Sequence, residues 1–442
     1  MLNTKTFIIS SLNKFFSKFF TFFLSIFFVI NSLEDYATII LFFVMSAYAY
    51  EIFSLSLSKT FNIIFFNYEK KSFELFVSFS IYVCFLIFFI SLLIVFSFNN
   101  FFSNNKIFVE YYFLISFLFV GFSIAIEDII DRYCWLKFKH NQIYLFGIFK
   151  IIIIIIFSAI FFVYFSKFKI NIFIIFYTSL ILFLTILKCL IFLNKLNFNI
   201  LDCIENIKTF NFNTTFYNTS IIFVISMLLL IQFSSNRIII SYFEGNIIFA
   251  NFYFHVQIVE LCTFFFLIIQ EVFGPSLAHV AKLNNLKKIK IFQDKVFKVL
   301  LLFPPIIFLY IICSSSFIIN IINPEINRSF WLLVILIFSS YSTFFFLSFY
   351  QYLIMSKKRK LIACTILFSV LINLFLSVWL INFFSITGVA FANFISNFLL
   401  FIICNQSIKF FFFRKKTFVF AYYCILRFIY LIILQYMVFK FF

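Results

Sequence analysis

Long apolar runs separated by short polar gaps dominate the chain. Stretches of 18 or more apolar residues are long enough to cross a bilayer as a helix. They recur near 14–32, 36–57, 75–98, 107–127, 143–165 and 171–193, and, after a polar stretch, near 217–240, 247–270, 299–320, 331–355, 361–383, 386–404 and 418–438. Helices that are apolar all round belong in lipid or in a large core. The pattern therefore predicts an all-α polytopic membrane protein with 12 to 13 transmembrane helices, the thirteenth being the weakest.

The polar stretch from Asn194 to Phe216, with Asp202, Glu205 and Lys208, follows the sixth run and reads as a boundary between two six-helix lobes. The expected domains are an N-terminal lobe over 1–200, a cytoplasmic inter-lobe loop over 201–216 and a C-terminal lobe over 217–405. Residues 406–442 then form a basic loop with an extra helix. Two long basic connections, Ser58 to Phe73 and Pro275 to Lys298, hold the same ordinal place in each half, which suggests a parallel internal repeat.

Composition supports lipid as the solvent. Hydrophobic residues make up 64% of the 442 positions and charged ones 11%, against about 25% charged in a soluble domain. The formal charge of +18 would raise the question of nucleic acid in a soluble protein. Here the basic residues lie mostly in the gaps between spans, so no nucleic-acid partner is expected. With the N-terminus in the cytoplasm, 27 of the 34 Lys and Arg residues fall on the inner side and 6 outside, the bias that sets topology. The two longest polar segments are also internal, which argues against an extramembrane catalytic domain. The Phe-rich N-terminal run after Lys5, Lys14 and Lys18 lacks a small-residue cleavage site and reads as a retained first helix. The six isoleucines from Ile151 to Ile156 reflect compositional bias rather than a motif.

Catalytic chemistry finds little support. The nine cysteines are scattered through apolar runs without a Cys-x-x-Cys pair, and the three histidines, His140, His255 and His279, lie far apart. No disulfide framework, metal site or catalytic residue is expected, and the chain does not read as an enzyme. Glu127, Asp128 and Asp131, next to Arg132 and Lys137, read as a mixed-charge helix end at the membrane surface.

Ionisable residues within the spans carry more information. Each costs about 2.5–3.5 kcal/mol on insertion scales and must face protein or a wet cavity. The candidates are Glu51, Lys150, Lys188, Arg237, and Glu260 with His255, while Arg427 in the last span reads as peripheral. Lys150 and Lys188 also fit a snorkelling role, Arg237 an interfacial anchor, and Glu260 a structural hydrogen bond or a proton site. Gly274–Pro275 and Pro304–Pro305 mark bends that suit either helix ends or hinges.

Several stretches in the second half, taken in order, resemble the bacterial O-antigen flippases of the polysaccharide-transporter branch of the multidrug/oligosaccharidyl-lipid/polysaccharide exporter superfamily. Ser235-Asn236-Arg237-Ile238-Ile239-Ile240-Ser241-Tyr242-Phe243-Glu244-Gly245 is similar to that family's Asp-Arg-x-x-Ile-x-x-x-x-Gly pattern, with Asn236 in place of the aspartate. Phe252-Tyr253, Gln257, Pro275-Ser276-Leu277, Asn323-Pro324-Glu325 and Lys357-Lys358-Arg359-Lys360 follow in similar places. Ile386-Thr387-Gly388-Val389-Ala390-Phe391-Ala392-Asn393 resembles the start of the family's twelfth span, with Asn393 departing from its small or hydroxyl residues.

The resemblance implies two six-helix lobes around a central cavity open to one side at a time. The implied cargo is an oligosaccharide repeat unit on undecaprenyl pyrophosphate, moved across the bacterial inner membrane. Arg237, Lys59, Lys150 and Lys188 are then the expected cationic cavity residues, and Glu51 and Glu260 the expected ion-coupling residues. No cofactor is expected, with coupling to a proton or sodium gradient left open. The implied partners are the lipid-linked oligosaccharide, membrane lipids and other polysaccharide-assembly proteins. Three alternatives stand beside this, one of them a nontransporting membrane scaffold in which neutralising the intramembrane charges would change nothing functional. A multidrug or small-solute exporter of the same superfamily would have an acidic cavity, and an O-antigen polymerase would have a large arginine-bearing periplasmic loop, which the spacing of the spans does not leave room for.

Overall fold

The computed structural model describes residues 22, 24–30, 32–61, 70–97, 111–136, 140–164, 170–193, 212–260, 330–355 and 359–408. The helices are α1 (Leu33–Ser54), α2 (Lys70–Ser97), α3 (Tyr111–Leu136), α4 (His140–Tyr164), α5 (Ile170–Leu193) and α6 (Phe212–Glu244). They continue with α7 (246–260), α8 (Phe330–Met355) and α9 (Arg359–Ile408). Seven helices among the described residues, α1 to α6 and α9, are long and apolar enough to cross a membrane. The protein is an all-α multi-pass membrane protein. The expected spans at 299–320 and 418–438, the basic segment 271–298 and residues 201–211 of the expected inter-lobe loop lie outside the described residues. Phe212 already begins α6.

The chain forms two compact units, Met1–Phe254 and His255–Phe442. In the first, α3 is the hub and packs against α1, α2, α4 and α5. Gly121 permits the tightest of these approaches. A Cβ at that position would lie 2.5 Å from the Ala49 Cβ and 2.9 Å from both the Ser46 carbonyl oxygen and the Tyr50 nitrogen of α1. Below this crossing, Phe88 of α2 stacks on Phe122 of α3 with ring centroids 4.3 Å apart, and buried Phe53, Phe61 and Phe76 extend the aromatic core. The outer face of α2 presents Phe89, Leu93 and Phe96. Such exposed apolar surface needs lipid around it.

Local signals fix the ends of α1. Ser32 caps its N-terminus by accepting from the Asp35 backbone N–H at 3.3 Å, and Glu34 and Asp35 place negative charge in the first turn, where the helix dipole favours it. At the other end Leu55 (φ 42°) and Ser56 (φ 54°) are both left-handed, a conformation that costs non-glycine residues roughly 1–2 kcal/mol each.

The apolar run behind α3 stops at 127, but the helix continues to Leu136. Charged residues ended the hydropathy signal without ending the helix, because their partners come from neighbouring helices.

In the second unit α8 packs on α9. The 50 residues of α9 are broken at Ser385 (φ 49°, ψ −136°), between the spans expected at 361–383 and 386–404. The break is a reversal. The Ser369 hydroxyl donates to the Ser396 carbonyl oxygen at 2.8 Å, whereas 27 residues of straight helix would hold these groups about 40 Å apart. Gly388 packs against the Leu380 backbone, leaving no room for a side chain. Buried Asn397 then joins the helices, donating to the Ser339 hydroxyl of α8 at 3.0 Å and to Asn393 Oδ1 at 3.1 Å.

Candidate functional site

The close α1–α3 crossing brings the charged part of α3 within reach of three other helices. Successive turns of α3 carry Glu127, Asp128, Asp131 and Arg132. Glu127 and Asp131 are four residues apart and therefore share a face, as do Asp128 and Arg132.

The first face meets α4 and α5. Lys150 of α4 donates to both Glu127 carboxylate oxygens at 2.7 Å. Thr185 of α5 donates to Glu127 Oε1 at 2.7 Å. Lys188 of α5 lies 2.7 Å from Asp131 Oδ1 and 3.8 Å from Glu127 Oε2, and its ammonium sits 5.5 Å from the Phe146 ring centroid. The Lys188 side chain is 4% exposed and that of Asp131 36%, so solvent or a ligand reaches this cluster first at Asp131.

The second face meets the end of α1. The Tyr50 hydroxyl donates to Asp128 Oδ2 at 3.0 Å, the Ser58 hydroxyl binds the same oxygen, and Arg132 Nε lies 3.3 Å from Oδ1. Next to it, Lys59 ion-pairs with Glu51 and donates to the Ser226 hydroxyl of α6 at 3.1 Å. The Ser56 hydroxyl donates to Glu51 Oε2 at 3.1 Å, so Glu51 also holds the left-handed turn at the end of α1.

The network sets Glu51, Glu127, Asp128 and Asp131 against Lys59, Arg132, Lys150 and Lys188. Four acids match four bases. Removing a charge from water costs several kcal/mol, and only good geometry with further hydrogen bonds offsets that cost. The hydroxyls of Tyr50, Ser56, Ser58, Thr185 and Ser226 supply those hydrogen bonds.

Of the residues expected from the sequence, Glu51 and Lys59 are therefore brought together as one pair, and Lys150 and Lys188 meet through Glu127. Arg237 occupies a different setting in α6. It is half-buried, with its guanidinium 4.6 Å from the Tyr253 ring centroid, close to where the Tyr48 and Ser234 hydroxyls meet at 2.6 Å. Glu260 belongs to the second unit, half-buried as the last described residue of α7. Sequence reasoning left out Glu127, Asp128 and Asp131 as partners. The available signal was the pair of lysines buried in the following spans, each of which needs a counter-charge.

No protein-family model matches the sequence, and none of the curated proteins does. Solved structures do match. A MATE protein in complex with MaL6 aligns with a TM-score of 0.66 at 11% identity, covering 92% of this chain and 96% of that one. The fold is that of the MATE transporters. A mutant of the Vibrio cholerae MATE transporter VcmN aligns at 0.63 with 11% identity, over 92% of this chain and 97% of its own. A MOP superfamily transporter from Pyrococcus furiosus aligns at 0.59 with 12% identity, over 92% and 96%. These neighbours of the MATE fold are transporters, not enzymes.

Proposed function

We propose that this protein is a flippase of MATE-type fold that translocates oligosaccharide repeat units linked to undecaprenyl pyrophosphate across the bacterial inner membrane by alternating access. The observation that carries the reading is the buried Lys188 and half-buried Lys150 between α3, α4 and α5, with Lys59 beside α6. Sugars and a diphosphate cannot cross hydrocarbon unaided, so the protein must supply polar, cationic groups inside the membrane while the lipid tail stays in the bilayer. Lysines on an inner face suit that need. In the orientation given by the charge bias, with the N-terminus cytoplasmic, the network occupies the cytoplasmic half, where the cargo loads. Arg237, farther along α6, is a second contact for the headgroup. The Pyrococcus furiosus transporter is described as having a binding pocket of reverse polarity that suggests a different function, which fits a fold that serves more than one cargo.

One observation favours a second reading. The network is charge-balanced, and the structural neighbours include MATE transporters. A cationic-drug exporter would use Glu127, Asp131 and Glu51 in place of the lysines.

Proteoliposomes separate the two. With a short-chain polyprenyl-diphospho-oligosaccharide in the bilayer, the flippase predicts time-dependent loss of sugar accessibility to an external lectin and no proton-driven efflux of ethidium. Efflux of ethidium with unchanged lectin accessibility would replace the flippase with the drug exporter.

A further inference from the structure

The four groups at the α3–α4–α5 junction sum to zero charge: Glu127 and Asp131 against Lys150 and Lys188. Lysines already matched in this way cannot receive an anion as standing receptors. A doubly charged diphosphate placed on them would leave two extra negative charges in a largely buried site, and each displaced carboxylate would be buried without a partner, an arrangement that is strongly unfavourable. Neutralising the displaced carboxylate cancels one of the two extra charges and leaves no ionised carboxylate without a partner.

We propose that this cluster takes the diphosphate headgroup by exchange: the anion replaces Asp131 on Lys188, and the freed carboxylate binds a proton from water. The inference rests on the flippase reading and adds a linkage to it, namely that cargo loading takes up protons. No covalent bond changes. The Lys188 ammonium moves its ion pairing from the Asp131 carboxylate to a phosphate oxygen, and one proton passes from solvent to Asp131. Asp131 is the member placed to do this. Its partner Lys188 holds it at a single oxygen, it is the most exposed of the four, and Glu127 is held by Lys150, Lys188 and Thr185 at once.

The surroundings contain other titratable groups. On α3 itself these are Asp128, Arg132, Cys134 and Tyr133, the last donating to Glu74 of α2 at 3.5 Å. From α1 comes Tyr50, bound to Asp128. From α4 comes Lys150, and from α5 come Lys188, Cys189 and Tyr177. Asp128 is engaged by Arg132, Ser58 and Tyr50 on the other face. Among these groups, Asp131 and Glu127 are the two carboxylates that lose a cation when the lysines turn to the cargo.

Linkage fixes the sign. If one proton enters with each headgroup, affinity falls as pH rises, by about tenfold per pH unit while Asp131 is ionised in the empty protein. Protonation of Asp131 and headgroup binding then strengthen each other.

The test is isothermal titration calorimetry on the full chain in detergent, with farnesyl-diphospho-N-acetylglucosamine as probe. Its doubly esterified diphosphate carries two charges and has no titration near neutrality. Parallel titrations in two buffers of different ionisation enthalpy count protons taken up per molecule bound. The expected result is about one proton per headgroup, with affinity weakening about tenfold from pH 7.5 to 8.5. In Asp131→Asn the proton count falls towards zero, and affinity at pH 8.5 rises while losing its pH dependence. A purely structural Asp131 would leave the proton count unchanged in the variant. Binding without proton uptake in the wild type overturns the exchange and leaves the flippase reading standing. Absence of binding overturns both.

Discussion

Lys150 of α4 approaches both oxygens of Glu127 on α3 at the same distance, 2.7 Å. Glu127 also receives Thr185 and lies near Lys188, so one carboxylate serves three side chains on two helices. Removing it takes the carboxylate from Lys150 and leaves Lys188 with Asp131 alone. Glu127→Ala is expected to lower stability by about 3–5 kcal/mol, read as a fall in the thermal transition of the detergent-solubilised protein. Removing charge from both sides, Glu127→Gln with Lys150→Met, should recover part of the loss. A double variant no better than the single one would mean that the pair is not coupled.

Gly121 sets the distance between α1 and α3, and with it the Tyr50–Asp128 contact. Gly121→Val should cost about 1–3 kcal/mol by overpacking. For the smaller Gly121→Ala, the nearest clash is with the Ala49 side chain, so Ala49→Gly should relieve it in part. Thermal scanning of both single variants and the double variant measures this, and an unchanged transition in Gly121→Val would remove the crossing as a constraint.

The Glu51–Lys59 pair anchors the turn at Leu55 and Ser56, and Lys59 reaches Ser226 on α6. A double-mutant cycle of Glu51→Gln and Lys59→Met should give a coupling of about 0.5–3 kcal/mol, as expected for residues in one network. On the proposed flippase function, Lys59→Met should slow flipping in the lectin-accessibility assay more than Ser226→Ala, because only the former removes a charge. Equal rates in the two would remove Lys59 from the cargo path.

The asparagine bridge of the second unit invites a smaller expectation. Hydrogen bonds between transmembrane helices average about 0.6 kcal/mol, since the unfolded chain in the membrane also finds partners. Asn397→Ala, which breaks the contacts to Ser339 and Asn393, should therefore cost about 1 kcal/mol, well below Glu127→Ala. A loss as large as that of Glu127→Ala would show that this polar core has a further role.

Arg237 lies over the Tyr253 ring, a contact worth about 0.5–2 kcal/mol depending on how far it is desolvated. On the proposed flippase function, Tyr253→Leu should lower flipping by misplacing the guanidinium, and Arg237→Lys should retain less than the full rate, because an ammonium lacks the planar fork that suits a diphosphate. Full activity in both, with normal expression, would take Arg237 out of the headgroup contacts.

Hydropathy makes the helices legible and the pairings illegible, for one physical reason. A window over the chain measures how well a segment tolerates lipid, and a single charge such as Lys150 in α4 or Lys188 in α5 does not end it, so the bounds of α1, α2, α4 and α5 lie within a few residues of the apolar runs. The same window stops at Glu127, because Glu127, Asp128, Asp131 and Arg132 crowd together there and count against lipid whether or not a lysine waits on the next helix. The continuation of α3 to Leu136, and the role of its acids, therefore emerge only with the bundle. Lys150 and Lys188 were identifiable as charges needing shelter, but not as charges already matched, and Lys59 entered only through the family resemblance. The reversal at Ser385, by contrast, was legible, since it falls in the two-residue gap between the spans expected at 361–383 and 386–404.

That reversal bears on how the protein moves. With no connecting loop between its two arms, and with Ser369 tied to the Ser396 backbone, α9 has no slack to let one arm slide past the other. Under the proposed function, tilting either arm must carry the other along, so the pair moves as a single lever.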